Sequence, residues 1–424
     1  MKTWSVAGCD GQARGSPGGV VSPVLSLDVP VRDGALVPYA NLDYAASAPC
    51  LQAVSQAVAE ALPAYSSVHR GAGYASQLTT ARYEQARHTI KAFARARPDD
   101  ALVFVRNTTD AMNLLARGLP EGTTVVVFDT EHHATLLPWS APVRLTPPAL
   151  PGEALRAADE ALAAIDGPAL LVVTAASNVT GELWPIAGLA HIAHRHGARI
   201  AVDAAQLAPH RPLNVAALDL DYVAFSGHKL YAPFGAGVLI GRRDWLEGAE
   251  PYLKGGGAVV SVGAQAEWQT DVEARHEAGT PNVLGAIALA AACDHLSQTG
   301  WTGLIAEEER LLTRLRTGLA AIEGVHELAL WPSDHPRVGI VSFVVDGHTA
   351  REVAERLSAD HGIGVRDGKF CAHPFVRHLL GVGQGGCDEL GGAVRASIGI
   401  GSTEEHVDRL LSALRSLPKR VRAA

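Results

Sequence analysis

The stretch "DYVAFSGHKLYAPFGAGVLIG", residues 221 to 241, decides the fold. A run of strand formers, Tyr222 to Phe225, breaks into Ser226, Gly227, His228 and Lys229, crosses a glycine-rich turn, and resumes as a second apolar run, Gly237 to Ile240. Burying a lysine cation is costly, so a lysine bracketed on both sides by interior-like sequence needs a reason to be there. Held in such a place its pKa falls, which frees the lone pair for nucleophilic work.

The segments before it alternate regularly. "ALVFVR" precedes a helical pattern in "TTDAMNLLARGL", "TVVVFD" precedes "EHHATLLPW", "ALLVVTAAS" precedes "PIAGLAHIAHRHG", and "ARIAVDAAQ" leads into the opening stretch. Near-continuous Val, Ile and Leu runs alternating with amphipathic helices predict an α/β fold with a parallel sheet covered on both faces. Ligands of such sheets lie beyond the carboxyl ends of the strands, where the motifs discussed below fall. Residues 1–38, rich in Gly, Pro and Ser, read as a loose N-terminal extension with one short strand in "VLSLDV", and "LQAVSQAVAEALPAY" reads as a helix. Residues 39–290 form the large domain on this reading. Residues 291–424, with "LIAEEERLLTRLRTGLAAIEG", "VGIVSFVVDG", "TAREVAERLSADHG" and "AVRASIGIGSTEEHVDRLLSALRSL", form a smaller C-terminal α+β domain.

Bulk properties exclude several functions. With 424 residues, 47% hydrophobic and 19% charged, the chain can bury a large core. A net charge of −8, from 36 Lys plus Arg against 44 Asp plus Glu, offers no basic field for nucleic acid. No apolar run reaches the ~20 residues of a bilayer span, and the first residues lack the apolar centre of a secretory signal, so no membrane role is expected. The five cysteines, Cys9, Cys50, Cys293, Cys371 and Cys387, show no paired spacing, which argues against disulfides or a zinc ribbon and for the cytoplasm.

The chemistry gathers at predicted strand ends. Asp203 ends "ARIAVD" and is followed by small residues that let a flat ligand approach. A carboxylate there, with a lysine at the end of the next strand, suits a protonated heteroaromatic nitrogen and a carbonyl-capturing amine, which is what pyridoxal 5'-phosphate (PLP) requires. Taken alone, Asp203 reads as a helix N-cap. Thr108 and Thr109 stand where a strand meets a helix, so hydroxyls and free backbone N–H groups would converge on an anion, although a threonine there is ordinarily a cap. Ser226 and His228 would add donors, or are a turn serine and a surface histidine. His132 or His133 would stack on a ring, and no third ligand at suitable spacing makes them a metal site. His191, His194 and His196 lie on an amphipathic helix and read as a solvated face.

Taken together, "FSGHK", "VDAAQ", "RNTTDA", "EHHA", "SNVTG" and "EAGTPN" stand in an order and spacing that resemble the class V aminotransferase superfamily of fold-type I PLP enzymes, and within it the group II cysteine desulfurases and selenocysteine lyases. The resemblance runs from about Asn41 to Leu410 and implies a mostly parallel seven-stranded sheet. It makes Lys229 the lysine that carries the cofactor, Asp203 the partner of the pyridinium nitrogen and His132 the stacking ring. Gln206 would bond the phenolic oxygen, and Thr108, Thr109, Ser226 and His228 would hold the phosphate. Thr280 would reach the neighbouring subunit's phosphate, which implies a homodimer with shared sites. Asn178 lies near cofactor and substrate, Arg395 grips the substrate carboxylate, and Arg366 lies beside that pocket.

In the same resemblance Cys371, in "VRDGKFCAHP", attacks the substrate sulfur and leaves as a persulfide, with Arg366, Lys369 and His373 favouring the thiolate. The local alternative is a small buried core residue. Lys369 and Phe370 stand where the family commonly has two histidines, and "GIGS" replaces a Tyr-Asn pair, so the departures fall on the substrate side. The expected activity is PLP-dependent removal of sulfur from L-cysteine or a related amino acid, giving alanine and sulfur for an acceptor protein. The alternatives are a class V lyase, epimerase or aminotransferase with Cys371 a bystander, and a silent fold that only binds partners.

Overall fold

The computed structural model describes residues 23–382 and 391–418. Seven strands form the central sheet: β1 (Ala101–Val105), β2 (Thr124–Phe128), β3 (Val143–Leu145), β4 (Ala169–Thr174), β5 (Arg199–Asp203), β6 (Tyr222–Ser226) and β7 (Gly237–Gly241). Their order is β1-β7-β6-β5-β4-β2-β3. Every pairing that does not involve β7 is parallel, and β7 runs antiparallel to both β1 and β6. The reason is local. Residues 227–236, which join β6 to β7, are too few for the crossover of about a dozen residues or more that a parallel return requires.

The apolar runs of these strands do not alternate with polar residues because both faces are buried. Leu171 and Val173 of β4 enter one core with Ile200, Val202, Val223 and Phe225, while Leu170 and Val172 enter another with Val125, Val127, Ala201 and Ala224. Side chains of period two thus feed two cores from one uninterrupted hydrophobic run.

A second, antiparallel sheet follows: β8 (Val325–Leu328), β9 (Ile340–Val345), β10 (Arg366–Gly368) and β11 (Ala393–Ser397), in the order β8-β9-β11-β10. The helices Trp301–Ala320, Ala350–His361 and Glu404–Arg415 contribute Leu315, Leu357, Leu410 and their neighbours to its core. Helix Ala350–His361 is delimited by its own sequence: Thr349 and Glu352 form a reciprocal capping box, and Gly362 closes the other end at φ +61°.

The structure departs from the sequence reading in three places. Residues 28–30 and 36–38 pair as a two-stranded ribbon, and Ala40–Asn41 pairs with Ile363–Gly364, so the described part of the stretch read as a loose extension is tied down; residues 1–22, with Cys9, lie outside the described residues, as does Cys387. Helix Val283–Thr299 runs straight through the boundary read at residue 290 and packs on helices Gln52–Ala61 and Tyr74–Phe93. Helix Tyr74–Phe93 itself escaped the sequence reading because a charge interrupts its apolar stripe. Tyr83, Ile90 and Phe93 are buried together with Arg87, whose guanidinium meets Glu277 at 2.8 Å. Among the described residues no helix is long and apolar enough to cross a membrane.

Candidate active site

A cavity of about 480 Å³ opens at the carboxyl ends of β1, β5 and β6 and is closed from the other side by β10, its following turn, and β11. Asn107, Thr108 and Thr109 reach it from the end of β1, His132 from beyond β2, Asn178 from beyond β4, Asp203 from β5, and Ser226, His228 and Lys229 from β6. Arg366, Lys369, Phe370, Cys371 and Arg395 line the opposite wall. All but two of the residues expected to carry the chemistry therefore meet in one space.

One corner of the cavity is built by a strand that stops and a helix that starts. Asn107 caps helix Thr108–Gly118 by accepting the Asp110 N–H, and the Thr108 N–H donates to Ser226 Oγ at 2.8 Å. The Thr108 and Ser226 hydroxyls lie 2.7 Å apart, so two chain segments present their oxygens at the same helix N-terminus. Gly237 permits this approach: a Cβ there would stand 2.7 Å from Asn107 Cα.

At the end of β5, Asp203 is only 4% exposed, yet both of its oxygens are engaged. The Ala205 N–H donates to Oδ1 at 2.9 Å and the Thr135 hydroxyl to Oδ2 at 2.7 Å. The capping habit of an aspartate after a strand and a place in the cavity thus occur together. Behind it Glu131 is fully buried; its Oε1 accepts the Thr174 N–H, and burial, with the Asp203 carboxylate nearby, pushes its pKa well above the usual carboxylate range.

Lys229 follows β6 by three residues and lines the cavity. Burial draws its pKa down to about 8 against the pull of Asp203, and the Arg395 cation adds to the lowering. His132 is held neutral: burial, then the Lys229 cation, bring its pKa to about 3. Its Nδ1 accepts the Ala134 N–H at 3.1 Å, which leaves the ring proton on Nε2. His228 falls to about 4 for the same two reasons.

The far wall holds Arg395 on β11, buried to 3% exposure. It donates to the Asn178 carbonyl at 2.9 Å and to Asp43 Oδ1 at 3.2 Å, and its Nε has no partner among the described residues. Cys371 is exposed, in a turn where both Phe370 and Cys371 have positive φ, +50° and +53°. The left-handed region costs a non-glycine residue about 1 kcal/mol or more, so the turn persists because its surroundings hold it. The His133 N–H donates to the Cys371 carbonyl at 2.7 Å, and Asn178 Nδ2 donates to the Phe370 carbonyl at 2.8 Å. His373 does not add the cationic charge expected of it, since burial, Lys369 and Arg377 lower its pKa, and its ring stands edge-on to His133 at 4.5 Å.

Two expected residues lie elsewhere. Gln206 does not line the cavity: its amide N–H goes to the Ala45 carbonyl at 2.8 Å, and its buried Oε1, an acceptor, has no partner among the described residues. A phenolic oxygen that needs a donor would require that amide to turn over. Thr280 is exposed and away from the cavity of its own chain. The solvated face expected of the three histidines holds only for His191: His194 and His196 are half-buried, and they engage the buried Asp221 at 2.8 Å and Asp159 at 2.6 Å. Conversely, the sequence reading missed Thr135, which holds Asp203, and Asp43, which holds Arg395. Thr135 sits one helical turn after His132; Asp43 carries no signal short of the fold.

The model of the aminotransferase class-V family matches residues 40–410. A cysteine desulfurase of Klebsiella pneumoniae (strain 342) is 37% identical over 398 residues, covering 90% of this chain and 94% of that protein. A cysteine desulfurase of Escherichia coli (strain K12) is 35% identical over 410 residues, covering 93% and 96%. Among solved structures, the apo cysteine desulfurase of Thermococcus onnurineus NA1 superposes with a TM-score of 0.80 at 32% identity, over 89% of this chain and 94% of that one. With a lysine and a carboxylate at adjacent strand ends and a family match that runs through both sheets, the chain belongs to the aminotransferase class-V family.

Proposed function

We propose that this protein removes sulfur from L-cysteine or a close relative and carries it as a persulfide on Cys371, leaving alanine. The observation that carries this reading is the meeting of an exposed thiol, Cys371, with Lys229 and Arg395 around one cavity. The relatives named cysteine desulfurase support it.

Enzymes of this family depend on PLP, and the residues present fit that group. Hydroxyls and N–H groups converge at Thr108 and Ser226, a buried carboxylate waits at Asp203, and an amine with a lowered pKa stands between them. Thr108, Thr109, Ser226 and His228 would hold its phosphate, Asp203 its ring nitrogen, His132 its ring face and Lys229 its aldehyde carbon. When bound, PLP supplies a carbonyl that captures the substrate amine and a ring that takes up the electrons of a broken Cα–H bond.

The chain's own groups do the rest. Arg395 pairs with the substrate carboxylate through the donors that Asn178 and Asp43 leave free. Lys229 Nζ, with its pKa near 8, accepts the Cα proton and returns it during alanine formation. The Cys371 thiolate attacks the substrate sulfur: an S–S bond forms, the substrate Cβ–S bond breaks, and its electron pair stays with the three-carbon skeleton. Solvent exposure of Cys371 then lets an acceptor thiol collect the sulfur. Thr280, exposed and outside its own cavity, is available to a second copy of the chain, and we read the enzyme as a cytoplasmic homodimer.

Replacing Cys371 with Ala tests the assignment. Sulfide and persulfide release from L-cysteine should fall to background while PLP stays bound. Undiminished release would make Cys371 a bystander and leave a lyase that eliminates sulfide from L-cysteine.

A further inference from the structure

On the desulfurase reading, Arg395 is a carboxylate clamp, and its surroundings show how the clamp is aimed. Its guanidinium is tied at two edges, to the Asn178 carbonyl and to Asp43. Its Cζ lies over the ring of Phe370, 5.0 Å from the ring centroid. A buried guanidinium tied at two edges and seated on a ring is restricted in its rotation, so its remaining N–H donors keep one direction. Phe370 is also the residue before the thiol: its carbonyl accepts from Asn178 Nδ2 at 2.8 Å, and its φ of +50° begins the left-handed turn that carries Cys371.

We infer that Phe370 is a positioning residue for substrate binding, whose aromatic face holds Arg395 in the orientation that receives the substrate carboxylate and couples that clamp to the turn bearing Cys371. The electron-rich ring face compensates a cation that burial has stripped of water. The competing reading is that Phe370 is apolar filler, since it also packs in a small cluster with Val179, Leu328, Phe375 and Val376. A leucine would fill that cluster and offer no π face, so the two readings separate.

The test uses the PLP-loaded enzyme and reads three quantities: KM and kcat for L-cysteine, and Kd for L-alanine from the visible spectrum of the bound cofactor. Phe370→Leu should raise KM and the alanine Kd about five- to tenfold, with the smaller effect on kcat. Replacing Phe370 with phenylalanines of increasing ring fluorination, which weakens the ring quadrupole at nearly constant shape, should raise both constants step by step. Cysteamine, which lacks the carboxylate, should bind all variants alike. Constants that ignore fluorination, or a cysteamine affinity that falls by the same factor as that of alanine, would overturn the inference. If Phe370→Leu fails to fold, the fluorinated series still decides. Alanine binding involves no sulfur, so persistence of sulfide release in Cys371→Ala would remove the desulfurase reading and leave this result standing.

Discussion

The two walls of the cavity are built in opposite ways. The Lys229 wall is a row of strand ends: Thr108, Asp203 and Ser226 each sit where a buried β-strand of one sheet stops, and the bond between Thr108 and Ser226 follows from the register in which Gly237 of β7 pairs with both Val105 and Ser226. The Cys371 wall is a turn of the second sheet, with two consecutive non-glycine residues at positive φ, held by His133, Asn178 and Arg395 from distant parts of the chain. Thr108, Asp203 and Ser226 are held rigidly because they belong to regular structure. The second wall is ordered only as long as its long-range ties persist, and a group that must meet a substrate and then an acceptor is well placed on such a turn.

That contrast can be broken or sharpened by experiment. The largest effect is expected at Lys229: Lys229→Ala should abolish turnover, and borohydride treatment of the PLP-loaded parent should leave a pyridoxyl adduct on the peptide holding residue 229 that the variant lacks. Such an adduct elsewhere would dissolve the rigid wall as the covalent centre.

Next comes Asp43→Ala. It leaves Arg395 buried without its carboxylate partner, and a loss of about 3 kcal/mol in denaturant unfolding is expected, at the low end for breaking a buried pair because the Asp43 side chain is 23% exposed. KM for L-cysteine should rise as well. A smaller loss, about 1 kcal/mol, is expected for Asn178→Ala, which removes one hydrogen bond to the Phe370 carbonyl. Its signature should be faster alkylation of Cys371. An unchanged alkylation rate would mean that the turn does not depend on that tie.

The gentlest test is pH. Burial brings the Lys229 amine to about 8, so capture of PLP by cofactor-free protein should accelerate up to about pH 8 and then level off, where an ordinary lysine would keep gaining towards 10.5. The unfolded chain keeps that proton to higher pH than the folded one, so this group makes the cofactor-free fold more stable as pH rises from about 8 to 10.5. His132, near 3, should contribute no inflection between pH 5 and 8, unlike a histidine at its usual value near 6.5.

Much of the first wall was legible in the sequence because strand ends are local events. "FSGHK" places Lys229 just past a strand, and "ARIAVD" places Asp203 at the end of another. The role of Cys371 came from resemblance, with Arg366, Lys369 and His373 nearby in the sequence read as favouring a thiolate. Where local reading failed, a distant partner was responsible. Arg87 broke the apolar stripe of helix Tyr74–Phe93 because its counter-charge, Glu277, lies 190 residues away in sequence. The short strand read in "VLSLDV" forms at 28–30, but its partner at 36–38, short and largely exposed, gave no periodicity to read.

By itself, then, the sequence determined the alternation of strands and helices, the burial of both faces of the central sheet, and the strand-end positions of the lysine and the aspartate, since these depend on periodicity and chain breaks over a few residues. The tertiary structure alone decided that Asp43 would hold Arg395 across 352 residues, that Thr135 would hold Asp203, and that the Phe370 ring would cover a guanidinium beside the thiol. Those contacts depend on how two sheets dock, and no local pattern of residues encodes which distant side chains a docked surface brings together.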